Sequence, residues 1–143
     1  RLSTNHDAGG SMRLYTQEHL WLDYEDGIVI LGLTAYAASR FREDAVLKFP
    51  AESRLLFPGV PIASLESPGL LHDIRSPLEG FQLGVNRELQ RSPHKLTRSP
   101  EEEGWLCQIY CPRWQPAEHL SRRGYEAFLE TLPAQRQLAA IHS

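Results

Sequence analysis

The sequence predicts an all-β fold, a small sandwich or barrel trimmed by short helices. Three observations predict it: apolar runs of strand length recur along the chain, corners containing proline or glycine separate them, and helical spacing is confined to brief stretches. With 143 residues, 41% hydrophobic and 23% charged, the chain suits one domain with a single core. That domain is expected over residues 12–132. The polar, glycine-containing residues 1–11 read as a flexible leader or remnant, and residues 133–143 as a short helical tail that begins at Pro133.

The elements follow in order. Leu20, Trp21 and Leu22 precede Glu25-Asp26-Gly27, and Ile28 to Leu31 follow, which predicts a hairpin because an Asp-Gly pair accepts the positive φ of a tight turn. Thr34 is placed to cap a helix of at most two turns from about Ala35 to Phe41. Ala45 to Phe49 is the next strand, stopped by Pro50. After the corner Pro58-Gly59-Val60-Pro61 another strand runs through Ile62, Ser64 and Glu66. Ser67-Pro68-Gly69-Leu70 predicts a hairpin tip, with proline fixing φ at the second position and glycine accepting positive φ at the third. A second corner, Ser76-Pro77-Leu78-Glu79-Gly80, opens the alternating strand of Phe81, Leu83 and Val85, closed by Asn86-Arg87. Residues 87–104 read as a long loop with one helical turn, and Trp105 to Tyr110 as the last strand. Pro116 is expected to start a helix carrying Leu120, Tyr125, Phe128, Leu129 and Leu132 on one face.

Composition excludes several classes. A net charge of −3 gives no whole-chain attraction for nucleic acid or an anionic membrane, and no apolar run approaches the roughly 18–20 residues of a spanning helix. Two cysteines are too few for a disulfide scaffold, so a cytoplasmic, reducing location is expected. Cys107 and Cys111 have C-x3-C spacing with no second pair, which favours buried thiols over a metal site even with His119 nearby. His72 and Asp73 are adjacent on a strand and so face opposite ways, a poor acid–base pair. Glu101-Glu102-Glu103 is expected in a solvated loop, and the arginines at 113, 122, 123 and 136 are interleaved with Glu118, Glu126 and Glu130, as on a solvated helix face. No catalytic set and no metal ligands stand out.

An ordered series of short segments then carries a resemblance. It runs from Tyr15-Thr16-Gln17-Glu18-His19-Leu20-Trp21 through Leu31-Gly32-Leu33-Thr34-Ala35-Tyr36-Ala37, Phe49-Pro50, Pro58-Gly59 and Glu66-Ser67. It continues through Asp73-Ile74, Ser76-Pro77, Glu79-Gly80, Val85-Asn86, Leu89, Ser92-Pro93, Glu103-Gly104-Trp105-Leu106 and Tyr125-Glu126-Ala127-Phe128-Leu129. With this spacing the chain resembles the glycine cleavage system H protein family, the lipoyl-carrying subunits of a multienzyme assembly. The resemblance implies a barrel-sandwich hybrid of two small antiparallel sheets with short flanking and C-terminal helices. It also implies a hairpin that presents a lysine joined by an amide bond to lipoate, in a subunit that is not catalytic by itself.

By that resemblance Gly69 stands at the position of the family's lysine, in Glu66-Ser67-Pro68-Gly69-Leu70-Leu71. Glycine has no side chain to acylate, and the two lysines of the chain are Lys48 and Lys95. The resemblance therefore implies a divergent member with no cofactor at the tip, lipoate being the family's cofactor. Its partners are expected to be other proteins, lipoate-handling or glycine cleavage components among them, with no nucleic acid and no membrane. Pro68, Gly69, Leu70, Leu71 and Arg75 are the candidate partner-binding tip. Two readings of it stand: exposed leucines beside Arg75 that form a docking patch, or leucines that tuck back onto the sheet at a decayed site. The alternative function is a working carrier component of the glycine cleavage system that uses another site.

Overall fold

The computed structural model describes residues 12–50 and 54–133; the expected leader and the tail beyond Pro133 lie outside them. Two antiparallel sheets face each other. Strands β1 (Arg13–Tyr15), β2 (Leu20–Glu25), β3 (Ile28–Leu33), β5 (Leu55–Leu56), β8 (Gly80–Val85) and β9 (Cys107–Tyr110) form the larger, in the order β1-β2-β3-β9-β8-β5. The smaller consists of β4 (Val46–Lys48), β6 (Pro61–Ser67) and β7 (Leu70–Arg75), with β6 central. Four short helices flank them: α1 (Ala35–Ala38), α2 (Glu88–Arg91), α3 (His94–Arg98) and α4 (Arg122–Glu130). The predicted all-β class with two small antiparallel sheets is what forms.

Alternation of side chains explains the layers. Leu20 and Leu22 on β2, Val29, Leu31 and Leu33 on β3, and Ile109 on β9 turn inward to meet Leu47, Ile62, Leu65 and Ile74 of the smaller sheet. The intervening Trp21 and Ile30 point to the outer face, yet they too are buried, because α4 lays Tyr125 over them beside Tyr15. Gly32 makes that second layer possible: a Cβ there would approach the Trp21 ring to 2.9 Å. The β2–β3 turn has Asp26 at φ 53° and Gly27 at φ 81°, the two positive φ values that the Asp-Gly pair predicts.

Several elements differ from expectation for local reasons. α1 ends at Ala38, and the chain continues in tighter turns, with the Arg40 and Phe41 amides bonded to the Ala37 and Ala38 carbonyls. Thr34 caps this helix as predicted, its Oγ1 accepting from the Ala37 amide at 3.2 Å. The loop of residues 87–104 holds two helical turns, α2 and α3, pinned by the buried Leu89 and Leu96. The helix expected from Pro116 starts at Arg122. Pro116–Glu118 is a 3-10 turn, and Leu120 is held extended because its N–H and C=O both bond Tyr15 at 2.8 Å. Ser121 then caps α4, accepting from the Gly124 amide at 3.0 Å. β5, at two residues, is too short to leave an alternating signature.

Glu101 departs from the solvated-loop expectation, whereas Glu102 and Glu103 of the same run are exposed. Glu101 Oε2 accepts from the Ala35 amide at 2.8 Å, and its Oε1 and carbonyl engage the Arg13 guanidinium. Arg13 also grips Asp23 with two bonds of 2.9 and 3.0 Å and lies 4.1 Å over the Trp21 ring. Burial works against the charge of Arg13, but the hydrogen bond and charge of Asp23 hold its pKa above the ordinary value.

Candidate functional site at the hairpin tip

The tip is the turn between β6 and β7, where Ser67 pairs with Leu70 and Pro68-Gly69 bridges them. Gly69 has φ +79°, and a Cβ there would meet nothing within 4 Å. The glycine thus answers the backbone's demand for a left-handed residue and not a steric one. Pro68 and Gly69 are exposed, whereas the two leucines part company. Leu70 turns inward and packs against the main core; Leu71 turns outward and is 64% exposed. One leucine is therefore exposed and the other folded back onto the sheet, as the two-residue period of a strand requires.

Arg75 is not brought to the tip. It occupies the other end of β7, five residues and roughly 17 Å from Leu70 at strand spacing, donating to Asp73 at 3.1 Å and to the Gly59 carbonyl at 2.9 Å. Neither lysine is there either. Lys48 sits on β4 opposite Ser64 with its Nζ 3.4 Å from Glu66, and Lys95 lies in α3 with its Nζ 3.7 Å from Glu88.

His72 and Asp73 point to opposite faces as expected. Asp73 faces out to Arg75, and His72 turns in, its ring 5.6 Å from that of Phe41. Burial, then the Arg40 charge, pushes the His72 pKa down. Cys107 and Cys111 are buried free thiols; burial pushes Cys107 up to about 12 and raises Cys111, so neither is a ready nucleophile.

Sequence reasoning missed His19. It closes the β1–β2 turn at φ 73°, a conformation uncommon outside glycine. Its Nδ1 and the Tyr125 hydroxyl are 2.8 Å apart, and that hydroxyl lies 2.7 Å from Thr34 Oγ1, so one chain of hydrogen bonds joins the turn, α4 and the α1 cap. Burial, then the charge of Arg40, lowers His19 to about 4, and it is neutral at pH 7. The only signal for it was its place within the Tyr15–Trp21 segment, which marks importance but not geometry.

The family model described as glycine cleavage H-protein matches residues 13–131. A glycine cleavage system H protein of Caulobacter vibrioides is 31% identical over 121 residues, covering 82% of this chain and 98% of that one. A Schizosaccharomyces pombe protein named as a mitochondrial glycine cleavage system H protein is 34% identical over 99 residues, and the match spans 69% of this chain but 59% of that protein. Among solved structures, the crystal structure of a glycine cleavage system H protein from Mycobacterium marinum superposes with a TM-score of 0.72 at 25% identity, covering 82% of this chain and 96% of that one. A family match across both sheets and α4, together with the shared fold, shows that the chain belongs to the glycine cleavage H-protein family.

Proposed function

We propose that this chain is a divergent H-protein that carries no acyl arm at its hairpin tip and acts as a protein-binding or regulatory module, without catalysis of its own. The family is one of carrier subunits of the glycine cleavage system, so partners of that system, or enzymes that handle lipoate, are the first to test. One observation carries the reading: the residue at the apex is Gly69, which has no amine. That this apex matches the family's lysine rests on the resemblance. In place of the amine the tip offers the exposed Leu71 beside Pro68 and Gly69, a small apolar contact of the kind partner proteins bury. The free thiols fit a reducing compartment such as the cytoplasm.

The experiment is intact-mass measurement after co-expression with a lipoate ligase and free lipoate. No added mass is expected, and a lipoyl adduct on either lysine overturns the reading. A second reading, a working carrier that uses another site, is favoured by the two relatives described above, which bear the H-protein name. Lys48 is its best candidate because it is 65% exposed, against 28% for Lys95, and lies on the strand next to β6. Glycine-dependent carbon dioxide exchange with the other three components, lost on Lys48→Arg, would establish it in place of the first.

A further inference from the structure

The two faces of the larger sheet are unequally covered. Its inner face packs on the smaller sheet, and α4 lies over Trp21 and Ile30 on the outer face of β2 and β3. Past β3 that cover ends. Five of the eight large hydrophobic side chains exposed among the described residues gather there: Leu55, Phe57, Phe81, Leu83 and Tyr110, between 39% and 66% exposed.

The register makes them one surface. Leu55 stands opposite Phe81 and Phe81 opposite Tyr110, so three strands put a continuous apolar row across the sheet. Leu83 follows Phe81 along β8, and Phe57 follows Leu55 past the end of β5. The remaining outward side chain of these strands, Gln108, is uncharged. An antiparallel sheet that faces water normally alternates apolar in with polar out, and these outward positions break that rule. At about half exposure, five such side chains leave about 500 Å² of apolar surface, as much as the largest patch that a monomer ordinarily shows.

We propose that this face is the interface of a symmetric dimer, in which it packs on the same face of a second copy. The row is symmetric about its middle strand. A two-fold axis along β8 stacks Phe81 on its mate and sets Leu55 of each copy over Tyr110 of the other. At about 10 Å between packed sheets, the second copy's strands occupy the layer that α4 fills over β2 and β3, and α4 bounds them on one side. Two such faces bury about 1,000 Å², the lower bound for a specific association, so the dimer is weak. A partner that docks by charge has nothing to grip on these strands. Residues 134–143 contain two large apolar side chains, Leu138 and Ile141, too few to cover five. The face points away from the smaller sheet that holds the hairpin tip, so the proposal stands whichever reading of the tip holds.

Sedimentation velocity of the full chain from about 1 to about 500 µM tests it. A shift from monomer to dimer with a midpoint on the order of 10–100 µM is expected, and it should persist at high salt because no ion pair holds it. Phe81→Lys puts two like charges on the axis and should weaken the dimer about a hundredfold or more, whereas Leu71→Lys at the tip should leave it unchanged. In a mixture of isotope-labelled and unlabelled parent chains, filtered NOEs should join the Leu55 methyls of one copy to the Tyr110 ring of the other, which decides the matter without a variant. A parent that stays monomeric throughout, dissociation by salt, a dimer undiminished by Phe81→Lys or lost on Leu71→Lys, or NOEs centred on another surface overturns the proposal.

Discussion

Asp23 is 4% exposed and meets Arg13 through two short bonds, so its removal does more than delete an attraction. It leaves a guanidinium against Trp21 with only Glu101 to balance it. Asp23→Ala should lower the unfolding free energy by about 3 kcal/mol, measured by urea denaturation, as expected when a buried pair loses one partner. Gly69 makes the opposite case, since nothing crowds it and only its φ opposes a side chain. Gly69→Ala should cost about 1 kcal/mol in the same assay and leave the fold intact. Gly69→Lys should behave alike in stability while placing an amine at the apex, where ligase-dependent mass gain can be scored directly.

His19 titrates with a definite sign. Its folded pKa lies near 4, below the ordinary 6.5, so the unfolded chain binds the proton more readily. The stability this histidine contributes is therefore complete above about pH 6.5 and drains away as the pH falls toward 4. Melting temperature followed across that window should fall for the parent. It should fall less steeply for His19→Asn, which tolerates the positive φ but has no titrating ring.

Among the elements, α4 depends on a single serine to begin. Ser121→Ala removes the acceptor for the Gly124 amide and should cost about 1 kcal/mol. Because α4 covers Trp21 from outside, the loss should also register as faster amide exchange along Tyr125–Leu129. At this scale the sequence was most legible where one residue type has one backbone use. Asp26-Gly27, Pro68-Gly69 and Thr34 each declared a turn or cap, and each is found there. It was least legible where a distant partner decides. Nothing local to Pro116 or Leu120 announces that Tyr15 will hold residue 120 extended, and nothing in three consecutive glutamates singles out Glu101 as the one that reaches Ala35. The candidate site was legible as a turn and as a missing amine. The separation of Arg75 from the tip was not, because it requires knowing where β7 ends.

For the molecule as a whole, the two sheets bury Cys107 fully, between Leu31 and Val85 in the register of its neighbours. With its thiol held protonated, it should resist a thiol-reactive dye in the native state and label only as fast as the protein opens globally, which makes it an internal reporter of unfolding. A dye reaction faster than hydrogen exchange of the β3 amides would show a local opening instead. The pairing of β3 with β9, and the bond of Tyr15 to Leu120, also set the order in which a nascent chain can mature. As residues emerge from the ribosome, the first hairpin must wait with one edge bare until its partner more than seventy positions later has been made. Closure of this fold thus waits on Cys107–Tyr110, and chains cut short before Cys107 would carry an open strand edge exposed to association with others.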